Sequence, residues 1–176
     1  MSRIAHSRNG QTLLELPAVL WVIIMMLTIP LVDLVTFSIR YNFLMAASRD
    51  AVYAASRAKT FRQDVSSSEL SAVNSANQVA RQTASKFSEV NINSVTSRIV
   101  ITRLSNGAVT RQSTPLVQPA DTSTYTYQLE TDVNGSTSPI LKVSSDYWAN
   151  IPGLTSDIPV TITSRAYFEN PQGLNQ

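Results

Sequence analysis

The chain of 176 residues has no cysteine and a single histidine, His6. The missing cysteine excludes disulfides, thiolate zinc sites, iron–sulfur clusters and a cysteine nucleophile. With one histidine six positions from the start, neither a Ser-His-Asp triad nor a histidine metal site has a natural place to form. Charge is also scarce, at 15% of residues with 14 basic against 12 acidic side chains. A pI near 9.1 hints at an anionic partner, but an excess of two positive charges is too small to mark a nucleic-acid surface. The length fits one ordinary domain with an appendage.

What the sequence does have is one long apolar run. Between Glu15 and Asp33 no residue is charged, and Leu16 to Val32 is almost wholly aliphatic. A helix over Leu13 to Phe37, at about 1.5 Å per residue, covers the roughly 30 Å hydrocarbon core of a bilayer. Apolar residues on every face argue against a buried soluble helix, and the run is too long for a cleaved secretory signal. Pro17 and Pro30 sit near its two ends, where a lost backbone hydrogen bond is more tolerable. Arg3 and Arg8 precede the run, while Arg40, Arg49, Arg57, Lys59 and Arg62 follow it, so charge alone leaves its orientation open.

Beyond Asp33 the spacing predicts that the helix continues, alanine-rich, to about Phe61–Asp64. Ala47, Ala51, Ala54, Ala55 and Ala58 form a small-residue surface. Such a surface either admits a second helix closely or simply reflects alanine's helix propensity. Ser66-Ser67-Ser68 before Glu69 predicts the start of a second helix of about twenty residues. After Glu89 short alternating runs of Val, Ile, Thr and Ser predict strands. Val95–Leu104 and Ala108–Val117 flank Ser105-Asn106-Gly107; Thr124–Val133 and Ile140–Tyr147 flank Asn134-Gly135; Ile158–Phe168 forms a fifth. The expected class is α+β, a long N-terminal helix and a second helix packed on a C-terminal antiparallel sheet.

The sharpest local signal is Asn9-Gly10-Gln11-Thr12-Leu13-Leu14-Glu15 running straight into the apolar segment. It resembles the class III signal of type IV pilins and pseudopilins. That resemblance implies cleavage by a prepilin peptidase between Gly10 and Gln11, which makes Glu15 the fifth residue of the mature chain. Glycine leaves a protease cleft unobstructed, and a carboxylate at a membrane edge is costly unless paired. The resemblance assigns Glu15 to assembly, through the new amine of Gln11 on the same or a neighbouring subunit. Because prepilin peptidases act on the cytoplasmic side, it also implies a cytoplasmic N-terminus and an extracytoplasmic domain in the bacterial inner membrane.

Glu15-Leu16, Asp33, Tyr41-Asn42 and the run Ala46 to Ala55 are similar to the TadE-like family of minor pseudopilins, with Leu16 and Ala51 departing from its usual aromatic and glycine. Val143–Asn170 matches that family in style. The implied organisation is a leader (1–10), a transmembrane and extended helix (11–64) and an extracytoplasmic α+β domain (65–176). The implied function is a non-enzymatic subunit in assembly of a Tad-type pilus or secretion machine. Its partners are the prepilin peptidase, other pilin or pseudopilin subunits, the Tad assembly platform and the lipid bilayer, with no cofactor and no nucleic acid. A different class also fits the apolar run: a single-pass, signal-anchored envelope sensor or adhesion protein.

Other signals are weaker. Asp146 with Asp157, and Glu130 with Asp132, are expected at strand ends or in loops, where solvated charges are common. Asn134-Gly135-Ser136 is a glycosylation sequon that a hairpin tip explains more simply. Arg98, Arg103 and Arg111 share a predicted hairpin but lack stacking aromatics. Removal of the leader takes away Arg3, Arg8 and His6 and leaves the two signs of charge equal.

Overall fold

A computed structural model of the chain describes residues 9–138 and 156–176, with side chains from Leu16 onward. The order is α1 (Asn9–Ser56), α2 (Ala72–Ala84), β1 (Val90–Arg103), β2 (Val109–Gln112), β3 (Tyr125–Thr137), β4 (Ile158–Tyr167) and a closing 3₁₀ turn, Pro171–Asn175. The four strands form one antiparallel sheet in the order β2-β1-β3-β4. The α+β architecture expected from the sequence is the one observed. The predicted strand Ile140–Tyr147 lies outside the described residues.

The 48 residues of α1 divide into two halves by what surrounds them. From Leu16 to Leu34 its apolar side chains face outward, with Trp21 66% and Met26 77% exposed. This is one helix long and apolar enough to cross a membrane. Polar side chains at its exit are satisfied locally. Thr36 and Ser38 donate to the carbonyls of Val32 and Leu34 at 2.9 Å, and Asn42 donates to Ser38 at 2.9 Å.

From Leu44 onward α1 is core. Ala47, Ala51 and Ala55 are fully buried, and α2 sets Ala72, Ala76, Ala80 and Ala84 at four-residue spacing on its own buried stripe. Ala51 and Ala55 of α1, Ala58 just beyond its end, and Ala72, Ala76 and Ala80 of α2 join one core cluster, where methyl-sized side chains permit close helix packing. Beneath them lie Ile99 of β1, Tyr127, Leu129 and Val133 of β3, and Phe61, Phe168 and Leu174. A second, smaller cluster, Leu44 with Ala84, Val90 and Ile162, closes the end nearer the apolar half of α1.

Several boundaries differ from the sequence expectation. The first helix stops at Ser56 instead of continuing to Phe61–Asp64, because other elements take its backbone groups. Glu169 N–H donates to the Ser56 carbonyl (2.9 Å), Ala72 N–H to Thr60 (2.9 Å), and Phe61 N–H turns to Gly173 (3.1 Å). The second helix has 13 residues, not twenty, and begins after Ser71 rather than at Ser68. Ser66–Glu69 closes a turn of its own through Glu69 N–H to the Ser66 carbonyl and hydroxyl, both at 3.1 Å.

Asp64 fastens the true start of α2: one carboxylate oxygen accepts from Ser71 N–H and the other from the Asn74 side-chain amide, each at 2.7 Å. The Ser71 N–H first, and then the Asn74 amide, hold the Asp64 carboxyl below its ordinary 3.8. A depressed carboxyl supports the fold above its unfolded value and loses that support as pH falls through its folded value. The amide proton of Ser71 should therefore titrate in NMR spectra with a midpoint below 3.8, and Asp64→Asn should abolish that titration.

β2 is shorter than predicted, four residues in place of Ala108–Val117. Gln112 turns its side chain back to the carbonyls of Thr114 and Pro115, and Leu116 N–H is drawn to Leu174 (2.8 Å). The Ser105-Asn106-Gly107 turn forms as expected, with Gly107 at φ 68°. Asn134-Gly135 does not turn: both residues lie within β3, opposite Ser94 and Ile92 across a register shift in β1. Gly135 is there for space, since a Cβ would sit 2.6 Å from the Asn91 carbonyl oxygen and 3.0 Å from Leu44 Cδ2.

Candidate functional site

Asn9 to Glu15 form the first turns of α1, so the Gly10–Gln11 bond lies in helical backbone at the very start of the element. Glycine is a weak helix former, by about 1 kcal/mol relative to alanine in a helix interior, so the backbone at Gly10 is more easily drawn out of the helix than it would be at an alanine. The charge-free stretch begins directly after Glu15, and from Leu16, the first described side chain, the apolar side chains are exposed. The junction thus joins a short polar segment to a helix that has the dimensions of a membrane span.

The small-residue surface is divided. Ala47, Ala51, Ala55 and Ala58 are buried in the chain's own core, and for Ala51, Ala55 and Ala58 the close neighbour is α2. On this face a close approach is made by the protein's own second helix. Ala54 is half-buried and borders an open cleft of about 310 Å³ with Arg57, Ala58, Lys59, Ser68, Glu69 and Leu70. Lys59 and Glu69 pair across it at 2.6 Å.

The polar face of the sheet, opposite the helices, carries a feature the sequence reading missed. Alternation along β3 sends Tyr127, Leu129, Thr131 and Val133 to the helices and Gln128, Glu130 and Asp132 to the other face. Glu130 stands between Arg98 of β1 and Arg165 of β4, its direct register partners. Arg165 meets its carboxylate through Nη2 at 2.5 Å and Nε at 2.6 Å, Arg111 of β2 through Nε at 3.3 Å, and Arg98 through Nε at 3.5 Å. Although it sits on an outward face, the Glu130 side chain is only 5% exposed.

Asp132 pairs with Arg98 and accepts from the Thr163 hydroxyl at 2.6 Å. Glu130 and Asp132 therefore lie mid-strand rather than at strand ends, and their oxygens are consumed by cations and a hydroxyl. That arrangement locks all four strands together; it leaves neither carboxylate of this pair poised as general acid or base. Arg103 ends β1 at the hairpin and does not join Arg98 and Arg111 in these ion pairs. Cross-strand register, which no local motif reports, is what brings the cluster together.

Of the other weighed pair, Asp157 accepts from the Ser138 hydroxyl at 2.7 Å, and Asp146 lies outside the described residues. No group of three or more His, Asp or Glu side chains among the described residues is arranged to hold a metal ion. The features that stand out are thus the Gly10–Glu15 junction, the apolar half of α1 and the Glu130 cluster. Comparison of the chain with family models, with curated proteins and with solved structures finds no match.

Proposed function

We propose that the chain is a non-enzymatic, membrane-anchored minor pilin-like subunit, similar to the TadE-like pseudopilins, which acts in assembly of a Tad-type pilus or secretion machine. The observation that carries the reading is the Asn9–Glu15 run at the head of a helix whose first half exposes apolar side chains and whose second half is the core of an α+β domain. A subunit stored in a membrane and later moved into an assembly needs those parts in that order: a processing point, a span and a folded head.

In this reading a prepilin peptidase on the cytoplasmic side of the inner membrane cuts between Gly10 and Gln11. The new amine of Gln11 and the Glu15 carboxylate then neutralise one another, within the chain or between subunits, at the edge of the hydrocarbon. The head contributes protein–protein contacts outside the membrane.

Intact mass of the membrane-extracted protein, co-expressed with its peptidase, tests the reading. A start at Gln11 is expected, with Gly10→Lys left unprocessed and Glu15→Val processed but poorly assembled. A parent chain that keeps Met1 or Ser2 would instead favour a permanently signal-anchored envelope sensor or adhesion protein. Processing of Gly10→Lys at the parental level would overturn the assignment of the cleavage point.

A further inference from the structure

Pro30 lies inside α1, and a proline has no N–H to give the carbonyl four residues before it. The carbonyl of Met26 therefore lacks its usual helical donor at a depth where lipid tails offer none. Met26 is the most exposed of the large apolar side chains in this half of α1. With Leu27, Pro30, Leu31 and Leu34 it borders a shallow apolar groove of about 330 Å³.

A matching donor exists in the same segment. Thr28 is exposed, and among the described residues its hydroxyl makes no hydrogen bond, whereas Thr36 and Ser38 in the same helix both bond back to a carbonyl one turn earlier. Thr28 is two residues from both Met26 and Pro30, so at 3.6 residues per turn it points about 200° away from each, on the far side of the helix. The Met26 carbonyl is directed toward Pro30, which brings its oxygen near the height of Thr28, about 3 Å along the axis from the Met26 Cα. Two parallel spans inserted to equal depth can thus set a Thr28 hydroxyl against a Met26 carbonyl without axial stagger.

We infer that the spans of successive copies of this chain associate side by side in the bilayer, the Thr28 face of one seated in the Met26–Pro30 groove of the next. Donor and acceptor lie on opposite faces, so the contact is heterologous: a pair cannot satisfy itself and each added copy offers the same free face. The product is an open row at one membrane depth, a stored state that precedes any staggered packing in a filament. The inference rests on the membrane-anchored reading above and adds the identity of the neighbour and the symmetry of the contact.

The absence of cysteine makes the test clean. In native membranes the full chain would carry Leu31→Cys, in the groove, or Val32→Cys, one turn from Thr28 on its face. Mixed expression of the two is expected to give a disulfide-linked dimer under mild oxidation, while either alone gives at most one-fifth as much. Both substitutions in one chain should give a ladder of higher species. Thr28→Val, and Pro30→Ala, which restores the N–H to Met26, should each lower the mixed yield at least fivefold, and Thr28→Ser should retain it.

Equal cross-linking by Leu31→Cys alone, a yield indifferent to Thr28→Val, or no cross-linking above that of an unrelated span would overturn the inference. Resistance of the chain to carbonate extraction is measured in the same samples. Loss of that resistance would count against membrane anchoring itself, whereas resistance without the mixed dimer would count against the row alone.

Discussion

Replacing Gly173 with alanine is expected to lower the stability of the folded head by about 3 kcal/mol and its midpoint of thermal unfolding by roughly 10 °C. A Cβ at this position would lie 1.6 Å from the carbonyl oxygen of Lys59 and 2.7 Å from its carbon, and neither atom belongs to a flexible side chain. Relief requires the 3₁₀ turn to move away from the segment after α1. That movement breaks Phe61 N–H to Gly173 (3.1 Å), Leu116 N–H to Leu174 (2.8 Å) and Asn170 Nδ2 to Lys59 (3.1 Å) together, and it uncovers the fully buried Phe61 and Leu174.

Gly107→Ala is the informative control. Its Cβ meets nothing within 4 Å, and only the φ of 68° opposes it, so a loss of about 1 kcal/mol is expected. Urea or thermal unfolding of the two variants beside the parent checks both values. A Gly173→Ala midpoint within a degree of the parent would mean that the C-terminal turn is not part of the cooperative fold.

The second large effect is expected at Glu130. Glu130→Ala removes the one carboxylate that Arg98, Arg111 and Arg165 share. Breaking a buried ion pair from one side costs about 3–5 kcal/mol. Here the arginine side chains are 33%, 46% and 45% exposed and water can solvate them in part, which brings the expected loss to about 2 kcal/mol. Two further measurements separate this from a generic packing defect. Added salt should recover part of the loss by screening three neighbouring guanidinium groups, and Glu130→Ala with Arg165→Ala should cost less than the two single losses summed. Additive losses that ignore salt would show that the cluster contributes no electrostatic coupling.

The helices and the sheet were legible where the sequence repeats a period. The charge-free run before Asp33 identifies its helix by length and unbroken apolar character, and the alternation along Val95–Leu104 and Thr124–Val133 identifies strands because burial of one face imposes that pattern. Boundaries were less legible, since partners distant in sequence decide them. Nothing near Ser56 announces that Glu169 will claim its carbonyl, and nothing near Ser66-Ser67-Ser68 tells that Asp64 will select Ser71 as the start of α2.

Asn134-Gly135 misled for a related reason. The pair is a strong local turn signal, but its glycine answers to Leu44, about ninety residues earlier, and to the Asn91 carbonyl on the next strand. Glu130 looked solvated because its three cations come from three other strands and meet only through register. The alanines of α1, with Ala58 just after it, announced a close neighbour without saying which helix it is; for Ala51, Ala55 and Ala58 it is α2.

The continuity of α1 also has a mechanical meaning. From Pro30 to Ser56 the helix runs about 40 Å without a glycine or proline, and its far half is clamped in the head by buried side chains. The cheapest place to bend is Pro30, outside the clamp. The head and the upper span therefore form a lever with its fulcrum inside the apolar segment, and a 10° change of angle at Pro30 swings the end of the helix by about 7 Å. A small tilt within the membrane is thereby converted into a lateral displacement of the whole folded head, larger than the width of one strand spacing.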